Sequence, residues 1–119
     1  MLATGAALAV ASPAAAATPA CEANTICLWE HKNWEGQKVS LPRCTPSLGG
    51  FDNKASSFYN NTGLYLRLYE NNDYSGRYIE IPAGFSYWNL HDRKFTVRHA
   101  NGELFASPGE FNDVTSSVC

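Results

Sequence analysis

The sequence has little of what marks a binder of nucleic acid or anionic membrane. Only 17% of its 119 residues are charged, nine Lys plus Arg face eleven Asp plus Glu for a net charge of −2, and no run of like charge occurs. A polyanion finds no basic stripe here, so nucleic acid and membrane are excluded as main partners. No apolar stretch reaches the roughly 20 uninterrupted residues of a membrane span, because Pro13 and Pro19 break the Ala-rich N-terminus. The three histidines, His31, His91 and His99, form no HExxH and no pair with metal-ligand spacing. No Asp or Glu pair is singled out for acid-base work, so no catalytic residue is assigned and the chain is expected not to be an enzyme. Helical periodicity is also missing, and the length allows one domain.

What is present begins with residues 1–20, which carry no charge and read as a secretory signal: an apolar stretch from Leu2 to Val10, Pro13, then small residues Ala14 to Ala17. Cleavage is expected after Ala17 or Ala20, and the absence of Lys or Arg suggests that Met1 lies inside a longer n-region. The expected location is therefore extracellular, with residues 21–119 as the mature domain. Export also decides the chemistry of the four cysteines, an even number in a short exported chain, which reads as two disulfides. Of the three possible pairings the preferred one joins Cys21 to Cys27 and Cys44 to Cys119.

The organisation along the chain is an internal repeat. Trp29-Glu30-His31-Lys32-Asn33-Trp34-Glu35-Gly36 recurs forty residues later as Tyr69-Glu70-Asn71-Asn72-Asp73-Tyr74-Ser75-Gly76. Each copy runs into an alternating segment, Gln37 to Leu41 and Arg77 to Ile81, with the period of a half-buried strand. A folded-over hairpin is expected in each, its aromatics packed across the bend and its Gly at positive φ. The expected core is Leu28, Val39, Leu41, Phe58, Leu66, Leu68, Ile79, Ile81 and Phe111 together with the hairpin aromatics.

A second motif also occurs twice, as Asp52-Asn53-Lys54-Ala55-Ser56-Ser57 and Asn112-Asp113-Val114-Thr115-Ser116-Ser117, each preceded by Phe. Asx and hydroxyl side chains bond to nearby backbone, so the simplest reading is two Asx turns leading into strands. The same clusters offer hard oxygen ligands with little charge, which suits Ca²⁺ better than Zn²⁺. Asn60-Asn61-Thr62 fits a glycosylation sequon but is read as turn chemistry.

Taken together these residues resemble the βγ-crystallins, in particular their microbial secreted members, and the related microbial metalloproteinase inhibitors. The aromatic-x4-aromatic-x-Gly hairpin and the Asx-Asx-x-x-Ser/Thr-Ser signature each occur twice, the resemblance spans roughly residues 27–119, and Cys21 to Cys27 matches the inhibitors' N-terminal Cys-x5-Cys. The resemblance implies an all-β sandwich of two Greek keys, the first at about 27–66 and the second at about 67–119. It also implies calcium ligands: the hydroxyl of Ser56 or Ser116, an Asx side chain from Asp52 or Asn53 and from Asn112 or Asp113, the carbonyls of Lys54 or Val114, and a hairpin carbonyl at Glu30 or Glu70. Ser57 and Ser117 are expected to bond back to the hairpins instead. Which hairpin completes which site is left open. The implied partners are Ca²⁺ and an extracellular protease, and the chain is expected to be a monomer.

The second half is longer than the first. Gly36 to Asp52 is sixteen positions and Gly76 to Asn112 thirty-six, so an inserted hairpin is expected over about 83–109, with Phe95 to Arg98 and Glu103 to Ala106 flanking an Asn101-Gly102 turn. His91 to Thr96 is a rival, decayed position for the second Asx motif. The inhibitors that the chain resembles hold a reactive loop rigid with its own disulfide. No cysteine lies between Cys44 and Cys119, so no reactive bond transfers to this chain. Phe85 to Pro108, with Tyr87 and Trp88, is an alternative contact surface, and an ordinary surface hairpin is its simpler reading.

Overall fold

The computed structural model describes residues 19–119, so the expected export signal lies, apart from Pro19 and Ala20, outside the described residues. Alternation of side chains decides the first strand, Thr25–His31 (β1): Ile26 and Leu28 are fully buried in the core, whereas Cys27 and Trp29 belong to the opposite face. The next strands are Glu35–Leu41 (β2), Ser57–Asn61 (β3), Leu66–Asn71 (β4) and Ser75–Ile81 (β5). Ser86–Tyr87 (β6), Phe95–Arg98 (β7), Leu104–Gly109 (β8) and Ser117–Val118 (β9) complete the chain.

These form two antiparallel sheets, the first in the order β2-β1-β3-β6 and the second in the order β9-β4-β5-β7-β8. Leu28 lies opposite Val39 and Phe58 in sheet one, and Leu68 lies opposite Ile79 and Val118 in sheet two. Each half of the chain contributes to the other's sheet. β6 comes from the second half and pairs with β3, while Thr45 from the first half exchanges backbone hydrogen bonds of 2.9 and 3.0 Å with Val118. That exchange is the Greek-key crossing, and it fastens the two repeats into one body. The second disulfide, Cys44–Cys119, closes next to it, and Cys21–Cys27 closes the short N-terminal loop.

The core between the sheets contains Leu28, Phe58, Leu66, Leu68, Ile79, Ile81 and Phe111, with Val39 and Leu41 partly buried against it. Fully burying a side chain of this size stabilises the fold by roughly 1.5–3 kcal/mol. Two expectations need correction. The hairpin aromatics do not join the core between the sheets: Trp29, though buried at 5% exposure, and Tyr69 stand one residue out of phase with Leu28 and Leu68 and cover the outer faces. The inserted part is also shorter than 83–109, because β6 is the strand that the second Greek key contributes to sheet one. What is added is β7 and β8, which extend sheet two beyond β5. The turn between them is closed by Gly102 N–H to His99 O at 2.8 Å, with Gly102 at φ 90°.

Candidate functional site

The two hairpins fold over in the same way. In the first, Asn33 and Trp34 have φ of 62° and 55°, and in the second Asp73 and Tyr74 have 58° and 57°. Consecutive non-glycine residues in the left-handed region are unfavourable and need outside support. A serine supplies it in each case: Ser57 Oγ donates to His31 O at 2.7 Å and accepts Trp34 N–H at 3.1 Å. Likewise, Ser117 Oγ donates to Asn71 O and accepts Tyr74 N–H at 3.0 Å. Gly76, at φ 82°, ends its bend where a Cβ would come within 2.6 Å of the Asn71 amide, and Gly36 faces His31 in the same way. Only glycine combines that φ with that clearance.

The glutamates of the repeat complete the bends. Glu70 Oε1 accepts Arg77 N–H at 3.0 Å, and its carboxylate receives the Arg77 guanidinium at 2.7 Å on both oxygens. Hydrogen bonding from Arg77 holds the Glu70 carboxyl below the usual carboxylate range against the opposing effect of burial. Glu30 Oε1 accepts Gln37 N–H at 3.4 Å, the weaker counterpart. In both hairpins the carboxylate therefore serves the fold.

Between the hairpins the two Asx motifs lie against each other and exchange partners. Ser56 Oγ donates to Asp113 Oδ1 at 3.2 Å, and Ser116 Oγ donates to Asn53 Oδ1 at 3.3 Å. The backbone repeats the exchange: Asn53 N–H donates to Thr115 O and Asp113 N–H to Ala55 O, both at 3.0 Å. Each motif is also tied to the hairpin of its own half, Ser56 N–H to Trp29 O and Ser116 N–H to Tyr69 O, both at 2.8 Å. The result is two oxygen clusters related by an approximate twofold. One gathers Ser56, Asp113, Glu30 and Lys54 around a shallow cleft that His31 and Asn53 also line, and the other sets Ser116 Oγ against Asn53 Oδ1 beside the Glu70 hairpin.

The second Asx of each pair is thus the one brought to a hydroxyl, and the hydroxyl belongs to the other motif. Asp52 is exposed, with its backbone N–H closing a turn onto Gly49 O at 3.1 Å, and Asn112 N–H is taken by Glu110 Oε1 at 3.0 Å. Neither Asp52 nor Asn112 hydrogen-bonds to the hydroxyls of the opposite motif. Val114 is half-buried and packs against the core, which leaves only its carbonyl for ligation. His91 to Thr96, the rival position, contains a turn and the start of β7, and it is the C-terminal motif that meets the first one. Among the described residues, the three-member group with metal-ligand spacing, Cys21, Glu22 and Cys27, has its two thiols joined in a disulfide and offers no zinc site. Asn60 is fully buried, its amide nitrogen donating to the carbonyls of Leu64, Ile81 and Pro82, so it holds a turn and is closed to glycosylation.

Sequence reasoning caught a third feature only in part. A groove of ≈ 560 Å³ opens between β6 and the inserted hairpin, lined by Tyr65, Glu80, Phe85, Tyr87, Lys94, Phe95, Thr96 and Arg98. Phe85, Tyr87 and the residues from Lys94 to Arg98 fall inside the stretch Phe85 to Pro108 read as a contact surface, whereas Tyr65 and Glu80 come from other segments that only the fold brings to it.

The arrangement is that of a βγ-crystallin-type domain. It is similar to a βγ-crystallin from Ciona intestinalis at 22% identity and a TM-score of 0.60, with 79% of this chain and 95% of that one covered. A βγ-crystallin from an archaeon matches at 22% and 0.59, over 82% of this chain and 96% of that one. A third solved structure, described under the evolution of the eye lens βγ-crystallin domain fold, matches at 16% and 0.63, over 85% of this chain and 89% of that one. No curated protein sequence matches significantly. Residues 14–81, more than half of the chain, match the model of peptidase inhibitor family I36, and the chain belongs to that family.

Proposed function

We propose that this is an exported, non-enzymatic domain that binds calcium between its two Asx motifs and is stabilised by it. The observation that carries the reading is the reciprocal pairing of Ser56 with Asp113 and of Ser116 with Asn53. The donor set fits a hard cation: hydroxyl, amide, carboxylate and carbonyl oxygens, with no thiolate or imidazole among the paired atoms. One ion would be held by Ser56 Oγ, the Asp113 carboxylate and the carbonyls of Glu30 and Lys54. The other would be held by Ser116 Oγ, the Asn53 amide oxygen and the carbonyls of Glu70 and Val114. With one carboxylate in the first set and none free in the second, dissociation constants of about 10⁻⁵ to 10⁻³ M are expected, the first site being the tighter. At a hundredfold excess over the dissociation constant, calcium adds roughly 2.7 kcal/mol to folding stability. A melting curve in millimolar Ca²⁺ should lie above one in chelator. Superimposed curves, with both disulfides formed, contradict the proposal.

Membership of the inhibitor family supports a second reading, inhibition of an extracellular peptidase. The protein at micromolar concentration should then inhibit at least one of a panel of secreted metallopeptidases. Full activity of every member counts against it.

A further inference from the structure

We propose that the groove between β6 and the inserted hairpin binds an extended, acidic peptide segment of a partner protein, with Lys94 and Arg98 receiving its carboxylates. The proposal depends on neither the calcium nor the inhibitor reading.

The walls of the groove are aromatic and open to solvent. Tyr65 is 59% exposed and Phe85 39%, and the Phe85 and Tyr87 rings stack with centroids 6.4 Å apart. Aromatic side chains left in water at such a density are typical of surfaces that bind. β6 is the edge strand of its sheet, so the groove follows a sheet margin, where an extended chain fits.

Charge selects the occupant. The carboxylates around the groove are already engaged: Glu80 by Arg67 at 3.1 Å and the Tyr65 hydroxyl at 3.2 Å, Asp92 by the Tyr87 hydroxyl at 2.7 Å and Asn89 at 3.2 Å. The cations are not. Among the described residues neither Lys94 nor Arg98 has a carboxylate within ion-pair distance. Lys94 Nζ stands 5.8 Å from the centre of the Tyr87 ring, and Arg98 spends one N–H on Gly102 O at 3.0 Å, leaving the rest of its fork. The groove therefore offers apolar faces and two cations without an ion-pair partner. A neutral sugar stacks on aromatic faces but leaves both positive charges without a counter-charge. A peptide with apolar side chains between acidic ones uses both faces and cations.

The test is fluorescence anisotropy with the disulfide-bonded protein and a labelled octapeptide carrying two glutamates around a Phe-Leu pair. Its glutamine analogue and a chitin hexasaccharide serve as competitors. The acidic peptide should bind saturably and more weakly as salt rises. The glutamine analogue and Lys94→Glu should each weaken binding by about tenfold. Lys94 is exposed, so this variant keeps the wild-type melting temperature, and Arg98→Gln, which should weaken binding in the same way, supplies an independent check. Equal binding of the acidic and amide peptides, displacement by the hexasaccharide, or no binding at millimolar peptide would each overturn the proposal.

Discussion

Adjacent serines in each Asx motif have different work, and the difference lies in which oxygen each one meets. Ser57 holds both a carbonyl and an N–H of a left-handed bend, so Ser57→Ala leaves two backbone groups short of a partner. The loss should be about 1–3 kcal/mol in thermal unfolding, with calcium affinity retained in whatever folds. Ser56→Ala should do the reverse, weakening one calcium site in calorimetric titration while the calcium-free melting temperature moves little. Glu70 adds a dependence on pH. Its folded pKa lies below its ordinary value of 4.5 because Arg77 donates to it, so its contribution is fully present above that value. As pH falls through the lower folded pKa the contribution disappears, and Glu70→Gln should flatten the acid limb of a melting temperature against pH curve. An unchanged limb would mean that the Arg77 pair contributes nothing. At this scale the types of the candidate ligands were legible from the repeated motif, but not their pairing. Ser56 meets Asp113 57 positions along the chain, a contact set by how the two repeats dock rather than by local spacing.

Among the elements, the strands with strict alternation were the ones that could be read. Gln37 to Leu41 and Arg77 to Ile81 lie within β2 and β5, and Phe95 to Arg98 is β7. β6 could not be read: two residues are too few to show a period, and Ser86–Tyr87 becomes a strand only because β3 is there to pair with it. Five core residues, Leu48, Phe51, Ala55, Leu90 and Phe111, lie in turns and connections; Phe51 and Phe111 were singled out by their places before the two motifs, and of the five only Phe111 was expected in the core. The hairpin of β7 and β8 is more than a surface decoration, since Phe95 and Val97 are buried at 8% and 2% exposure. Phe95→Ala should therefore cost about 3–5 kcal/mol in denaturant unfolding. A change under about 1 kcal/mol, the usual range for a surface site, would show that this hairpin stands apart from the core.

The whole molecule joins two similar halves by exchange: a strand of the second half in sheet one, a bridge from the first half at the edge of sheet two, and a hydroxyl of each Asx motif on an amide or carboxylate of the other. The fold class was legible because the duplication is written in residue types at fixed spacing. The exchange was not, because nothing within one repeat depends on it. Its consequence is that calcium should act across the halves, drawing both motifs together instead of tightening each one alone. An NMR titration of the disulfide-bonded protein with Ca²⁺, followed at backbone amides, tests this most directly. The account predicts two groups of shifts, Glu30, Ser56 and Asp113 moving together at lower calcium, then Asn53, Glu70 and Ser116 at higher calcium. Shifts that group by motif, Asn53 with Ser56 and Asp113 with Ser116, or amides that stay still through millimolar calcium, would contradict it.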